Sequence, residues 1–361
     1  MATEVADAVA LCLRHNFGNP SSSHFWGAMA KEAVEDGRRY VADLIKARTG
    51  EILFTSGGTE ANNLAIFGTA LRFRTGHIIA SSIEHPSVIN PLKHLEGLGF
   101  RVTLLPVDKW GIVDPGELEG HIGNKTILIT IMHSNNETGS LQPIREIGEI
   151  AKSHRIIFHC DAAQSVGKVP VNVKRLNVDL LTIVSHKYYG PKGVGALYIK
   201  EGVTLNPLLF GASHEKGIRP GTENVAGIVG LGKASELARR ELPARVRTMK
   251  HLSLMLLDHL KREIPGITLN GHPSKRLPNT LNISFPNIVG SALLDVLKEE
   301  IAASTGSACH EGKHSPSPVL KAMGKSDAEA LSALRISLGR SNTEREIIKA
   351  AKAIAAAYRR L

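Results

Sequence analysis

Between Glu51 and Lys200, short runs rich in β-branched residues alternate with amphipathic stretches, and this alternation restricts the fold more than any other feature of the chain. The runs fall at 52–55, 77–81, 102–107, 126–132, 156–160 and 180–184, each the length of a strand. Helical periodicity is clearest over 26–46, 59–73, 86–98 and 144–154, in each case after Ser, Thr, Gly or Pro punctuation. Strands joined through helices pair in parallel and bury both faces. The expectation is therefore an α/β fold, a mostly parallel sheet with helices on both sides. In such sheets chemistry collects in the loops at the carboxyl ends of the strands.

After Gly221 the texture changes. Two long helical patterns, 223–240 and 244–263, lead to strand patterns near 280–284 and 335–338 and a last helix over 343–358. We read these as a smaller α+β C-terminal domain over 244–361, joined by residues 1–16, beside a large domain over 17–243. Lys and Arg outnumber Asp and Glu by 44 to 34, but they are spread along the chain without a basic block or interleaved aromatics, so nucleic acid is not an expected partner. No apolar run reaches the ~18 residues of a membrane span. Glu4 and Asp7 precede any basic residue, unlike a targeting segment, so a cytoplasmic protein is expected, without a membrane role. Cys12, Cys160 and Cys309 are too few and too scattered for a disulfide framework or a metal site, and no metal is expected.

Four segments carry candidate chemistry. The run Asp179-Leu-Leu-Thr-Ile-Val-Ser185-His186-Lys187 ends an apolar strand in a lysine, a position suited to holding a carbonyl as a Schiff base, although a lysine after a strand is more often merely solvated. The run ending in Cys160-Asp161 delivers a carboxylate to another strand end, which suits the protonated ring nitrogen of pyridoxal phosphate (PLP). Thr55-Ser56-Gly57-Gly58-Thr59 is a glycine-containing turn that opens a helix, a phosphate site if not an ordinary helix start. Ser82-Ile-Glu84-His85-Pro86 sets a histidine after a third strand, placed to stack on a ring or move protons.

Together with Thr55-Ser-Gly-Gly-Thr-Glu-Ala-Asn-Asn63, Asn135-Asn-Glu-Thr-Gly139, Asp161-Ala-Ala-Gln164, His186-Lys-Tyr-Tyr-Gly-Pro191, Arg219-Pro-Gly-Thr-Glu-Asn224, Gly306-Ser-Ala-Cys309 and Leu334-Arg-Ile-Ser-Leu-Gly-Arg340, the chain resembles the cysteine desulfurases and selenocysteine lyases. These belong to the class V aminotransferase branch of fold-type I PLP enzymes. The resemblance runs from Phe17 almost to the C-terminus. It implies that Lys187 holds the cofactor, Asp161 pairs with its ring nitrogen and His85 stacks over the ring. Asn136 and Gln164 would lie near the phenolic oxygen, with Gly58, Thr59, Ser185 and His186 on the phosphate and Thr222 reaching in from a second subunit of a homodimer. Arg335 matches the arginine that takes the substrate carboxylate, with Asn136 beside it, and Cys309 the cysteine that accepts sulfur as a persulfide. Cys12 and Cys160 match no catalytic position.

The activity implied is removal of sulfur from L-cysteine to give L-alanine, for iron-sulfur cluster or thio-cofactor supply through an acceptor or scaffold protein. Two alternatives stay open: a selenocysteine lyase acting on L-selenocysteine, and a catalytically weak PLP-fold sulfur carrier or partner protein. The sequence departs from the family pattern in lacking an Ala-Thr-Thr-Pro-like segment before the first helix, at Phe210-Gly-Ala-Ser-His214-Glu215, and at Val184, where many desulfurases carry a phosphate-binding serine.

Overall fold

The computed structural model describes residues 1–306 and 315–361. They fall into two compact units, the first made of Met1–Leu105, Pro115–His133 and Pro143–Leu242, the second of Pro106–Asp114, Ser134–Gln142 and Pro243–Leu361.

The first unit is built on a seven-stranded sheet of β1 (Ile52–Thr55), β2 (His77–Ser81), β3 (Arg101–Leu105), β4 (Thr126–Thr130), β5 (Ile157–Asp161), β6 (Leu180–Val184) and β7 (Gly195–Ile199), in the order β1-β7-β6-β5-β4-β2-β3. From β6 to β3 neighbours run parallel, while β7 lies antiparallel between β1 and β6. Every residue of β2 and β6 is buried, as both faces of a parallel sheet require. One apolar cluster joins Ile66 and Ala70 of the helix Gly58–Ala70 to Ile78, Ala80, Val88, Leu92 and Leu128; a second joins Ala61, Leu64 and Ala65 of that helix to Leu53, Leu180 and Leu197. The helix thus covers the strands whose ends carry the candidate chemistry.

Several features differ from the sequence expectation, among them Pro106–Asp114 and Ser134–Gln142, expected in the large domain over 17–243, which belong to the second unit. The strand β7 was not anticipated, because Gly195–Ile199 is a short run close behind a glycine-rich turn. Residues 1–16 belong to the first unit: the helix Thr3–His15 buries Val5 and Cys12, Ala2 N–H donates to Tyr189 O at 2.9 Å, and Val9 Cγ2 lies 2.7 Å from where a Cβ on Gly230 would sit. The two helical patterns before and after Pro243 are one helix, Val225–Glu263. Proline removes one intrahelical hydrogen bond, and the Leu, Ala, Arg, Glu and Lys residues on either side are strong enough helix formers to continue past it.

The second unit holds a three-stranded antiparallel sheet of β8 (Thr268–Asn270), β9 (Thr280–Ser284) and β10 (Ala333–Ser337), with β9 in the middle. Its core gathers Leu252, Leu256 and Leu260 with Leu281, Ile283, Leu334 and Ile336 of the sheet and Ile347 and Ile354 of the helix Glu344–Tyr358. Among the described residues no helix is long and apolar enough to cross a membrane.

Candidate active site

In the first unit the parallel strands bring their carboxyl ends to one edge. Asp161 closes β5 in register with Thr182 of the adjacent β6, and β6 runs directly into the 3-10 turn Ser185–Tyr188 that carries Lys187. Gly195 of β7 pairs with both Val184 and Thr55, so the ends of β6 and β1 lie at one level. Only glycine fits there, since a Cβ would stand 2.9 Å from Gly57 Cα.

Asp161 is buried and its carboxylate is fixed. Oδ1 accepts from Ala163 N–H at 2.9 Å and Oδ2 from Asn62 Nδ2 at 2.8 Å. The same Asn62 nitrogen donates to Ser87 Oγ at 2.8 Å, and that oxygen lies 2.8 Å from His85 Nδ1. His85 caps the helix Pro86–Gly97, its Nδ1 accepting from Ser87 N–H at 3.1 Å. With Nδ1 an acceptor, the neutral ring carries its proton on Nε2. Burial favours that neutral ring; the carboxylate of Asp161 opposes the shift and the Lys187 ammonium adds to it. Asn62 was not singled out by sequence reasoning. The available signal was a polar residue on the apolar face of a helix beside the buried Ala61, Leu64 and Ala65.

At the end of β1 the helix Gly58–Ala70 starts at Gly57, which offers no side-chain cap, so the first-turn N–H groups around Gly58 and Thr59 keep hydrogen-bonding capacity for an anion. A Cβ on Gly58 would meet Val184 Cγ2 at 2.5 Å, so the valine that replaces the expected serine packs against this turn. Ser185 Oγ, one residue on, is buried with no hydrogen-bond partner, an orphan that a phosphate oxygen would satisfy. His186 and Lys187 are exposed at the strand mouth. Burial, then the positive charges of Lys187, Lys192 and Lys168, lower the His186 pKa. Arg219 grips Glu60 of the same helix turn at 2.8 Å, tethering the segment on which the exposed Thr222 sits. Gln164 Oε1 accepts from Lys168 Nζ at 2.7 Å.

Behind these groups lie buried titratable side chains. Glu84 Oε1 accepts from Ser81 Oγ at 2.5 Å and Met132 N–H at 2.8 Å, while Oε2 has no partner, and burial pushes this carboxyl up to about 8. His159 lies between Thr130 Oγ1 at 2.8 Å and Thr182 Oγ1 at 3.1 Å, and burial lowers it to about 3; His133 is lowered to about 4. Cys12 and Cys160 are buried free thiols with raised pKa values, which burial makes inert.

Arg335 and Asn136 belong to the second unit. Arg335 lies on β10 and its Nη1 donates to Asn136 O at 3.1 Å. Ser304 and Arg335 exchange backbone hydrogen bonds of 3.1 and 2.7 Å. Next to Asn136, the buried Glu137 accepts from Ser317 Oγ at 2.6 Å. Burial raises its carboxyl to about 7 against the lowering effects of Ser317 and Arg335. Cys309 lies outside the described residues.

A held carboxylate, a histidine with a fixed ring, an exposed lysine and an uncapped helix turn beside an orphaned serine suit the ring nitrogen, face, carbonyl and phosphate of PLP. With the sheet described above, this donor set defines a fold-type I PLP enzyme. The chain belongs to the family described as Aminotransferase class-V, which it matches over residues 1–349. It is 50% identical over 347 residues to cysteine desulfurase IscS of Methanosarcina thermophila, covering 95% of this chain and 86% of that one. To cysteine desulfurase IscS of Dictyoglomus turgidum it is 47% identical over 347 residues, covering 95% and 88%. Among solved structures it matches a NifS-like protein with TM-score 0.94 and 37% identity, covering 100% of this chain and 97% of that one. It also matches SspA in complex with cysteine, with TM-score 0.83 and 37% identity, covering 94% and 95%.

Proposed function

We propose that this chain is a PLP-dependent cysteine desulfurase that transfers the sulfur of L-cysteine to Cys309 and releases L-alanine. The observation that carries the reading is the set Lys187, Asp161 and His85 just at or beyond the carboxyl ends of β6, β5 and β2 of one sheet, in a chain half identical to a cysteine desulfurase over nearly all its length. Bound PLP supplies an electron sink for the pair left on the substrate Cα. Asp161, oriented by Asn62 and Ala163, keeps a proton on the ring nitrogen. Lys187 would hold the cofactor, and its Nζ would move the proton of the substrate Cα. His85 covers the ring and offers its Nε2 proton. Arg335 binds the α-carboxylate through its planar fork, with Asn136 alongside. Gly58, Thr59, Ser185 and His186 hold the phosphate, and Gln164 lies near the phenolic oxygen.

Cys309 thiolate attacks the substrate sulfur, so an S–S bond forms, the C–S bond breaks and its electron pair stays with the carbon skeleton, which takes up a proton at Cβ and leaves as alanine. The persulfide then serves an acceptor or scaffold protein in iron-sulfur cluster or thio-cofactor supply, in the cytoplasm. The enzyme works as a homodimer in which Thr222 serves the site of the second copy, consistent with its exposure. Holoenzyme given L-cysteine is expected to release sulfide, in the presence of a reductant, and alanine. Lys187→Ala is expected to abolish both products, and Cys309→Ala to abolish sulfur transfer, with L-selenocysteine as a parallel substrate. Unimpaired cysteine turnover by either variant would sink the reading, and turnover of selenocysteine alone would reassign the substrate.

A further inference from the structure

In the second unit, two stretches that flank Cys309 in sequence converge on one side chain. On the N-terminal side, Ser304 is zipped to Arg335 by two backbone hydrogen bonds, and Gly306 lies so close to Glu137 that a Cβ there would stand 2.3 Å from Oε2. On the C-terminal side, Ser317 donates its hydroxyl to that same Oε2 at 2.6 Å while its Oγ caps the helix Pro318–Ala322 by accepting from Leu320 N–H at 3.2 Å. Glu137 is held in turn from its own backbone, its N–H donating to Asn135 Oδ1 at 2.9 Å and its carbonyl accepting from Asn282 Nδ2 of β9 at 3.4 Å. A buried carboxyl costs free energy unless it is partnered, and this one is hydrogen-bonded by Ser317 on one flank of the segment and packed against Gly306 on the other. Arg335 keeps its separate bond to Asn136 O, so the substrate arm does not depend on the Ser317 contact.

We propose that Glu137 is a positioning residue for the sulfur-transfer step, fixing Gly306 and Ser317, between which Cys309 lies in the sequence, to the strand that carries Arg335. The inference rests on the reading that Cys309 accepts the sulfur. Its signature is a split between capture of cysteine, which Arg335 governs and Glu137 affects less, and persulfide formation, which Glu137 governs.

The test compares wild-type holoenzyme with Glu137→Gln, Glu137→Ala, Ser317→Ala and Cys309→Ala. The rate of persulfide formation on Cys309 is read by rapid quench and mass spectrometry, and the half-saturating L-cysteine by the change in cofactor absorbance. Glu137→Ala is expected to slow persulfide formation about tenfold and to move half-saturation less than about threefold, the loss of one hydrogen bond to a carboxyl. Glu137→Gln, which keeps an oxygen for Ser317, is expected to restore most of the rate. A parallel fall in both readouts, or no change in either, overturns the proposal. Should Glu137→Ala fail to give folded holoenzyme, Ser317→Ala carries the test: a slowed persulfide step at unchanged half-saturation supports the proposal and a wild-type rate overturns it. If Cys309→Ala turns over cysteine like wild type, the desulfurase reading has failed and the inference falls with it; wild-type behaviour of Glu137→Ala beside an inactive Cys309→Ala overturns the inference alone.

Discussion

Asn62 spends one amide nitrogen on two acceptors, the Asp161 carboxylate and the Ser87 hydroxyl, and through Ser87 it reaches the ring of His85. None of these contacts involves a reacting atom, yet they decide where the carboxylate and the imidazole point. Replacing Asn62 by leucine keeps the volume and leaves both acceptors short of a donor inside the fold. Each such loss costs about 1–3 kcal/mol, and we expect at least about a tenfold weaker hold on PLP, measured by the dissociation constant of the cofactor from the apoenzyme. An unchanged constant would show that Asp161 is held well enough by Ala163 N–H alone. The candidate residues were legible in the sequence because strand-end Lys, Asp and His stand out against apolar runs. Asn62 was not, because a polar residue inside an alanine-rich helix shows its purpose only when its partners, distant in sequence, are in place.

At the scale of elements, the segment around the 3-10 turn His214–Gly217 is pinned to the sheet by one ion pair. Arg38 meets both carboxylate oxygens of Glu215 at 2.7 and 2.9 Å, Glu215 also accepts from Phe54 N–H of β1 at 2.9 Å, and the guanidinium lies 4.7 Å over the Phe54 ring. The two side chains are only 12% and 4% exposed, and without Glu215 the guanidinium keeps only the more exposed Glu35 at 3.1 Å and Ile52 O at 2.8 Å. Glu215→Ala is expected to cost about 3 kcal/mol, seen as a lower Tm of the apoprotein; an unchanged Tm would mean that solvent reaches Arg38 freely. The sequence could not report this pair, which joins residues far apart along the chain, nor β7, whose place depends on strands on both sides of it. It also suggested a helix break at Pro243, because a local rule for proline carries no information about the helix-forming strength of the residues beyond it.

Across the whole first unit, buried titratable groups of opposite sense bracket the pH at which the fold is most stable. His133 and His159 have folded values of about 4 and about 3, below histidine's ordinary 6.5, so the unfolded chain binds more protons below pH 6.5 and stability falls as the pH drops. Glu84 has a folded value of about 8 against an ordinary 4.5, so the folded chain binds the extra proton and stability falls as the pH rises from 4.5 to 8. Between pH 4.5 and 6.5 the histidines oppose Glu84, so we expect the fall in denaturant stability of the apoprotein to emerge above about pH 6.5, and Glu84→Gln to flatten it; an identical alkaline limb in the variant would show that another group sets it. The alternating pattern of the sequence made the sheet and its helices readable because period and strand length are local properties. The order of the strands is not local, and it has a bearing on how the molecule is made. The seventh strand is the partner of the first, and Ile52–Thr55 has no place in the sheet until Gly195–Ile199 has been synthesised. A ribosome that has delivered the earlier strands, Asp161 and Lys187 therefore still carries an unfinished sheet edge, which stays open until Gly195–Ile199 is free to pair.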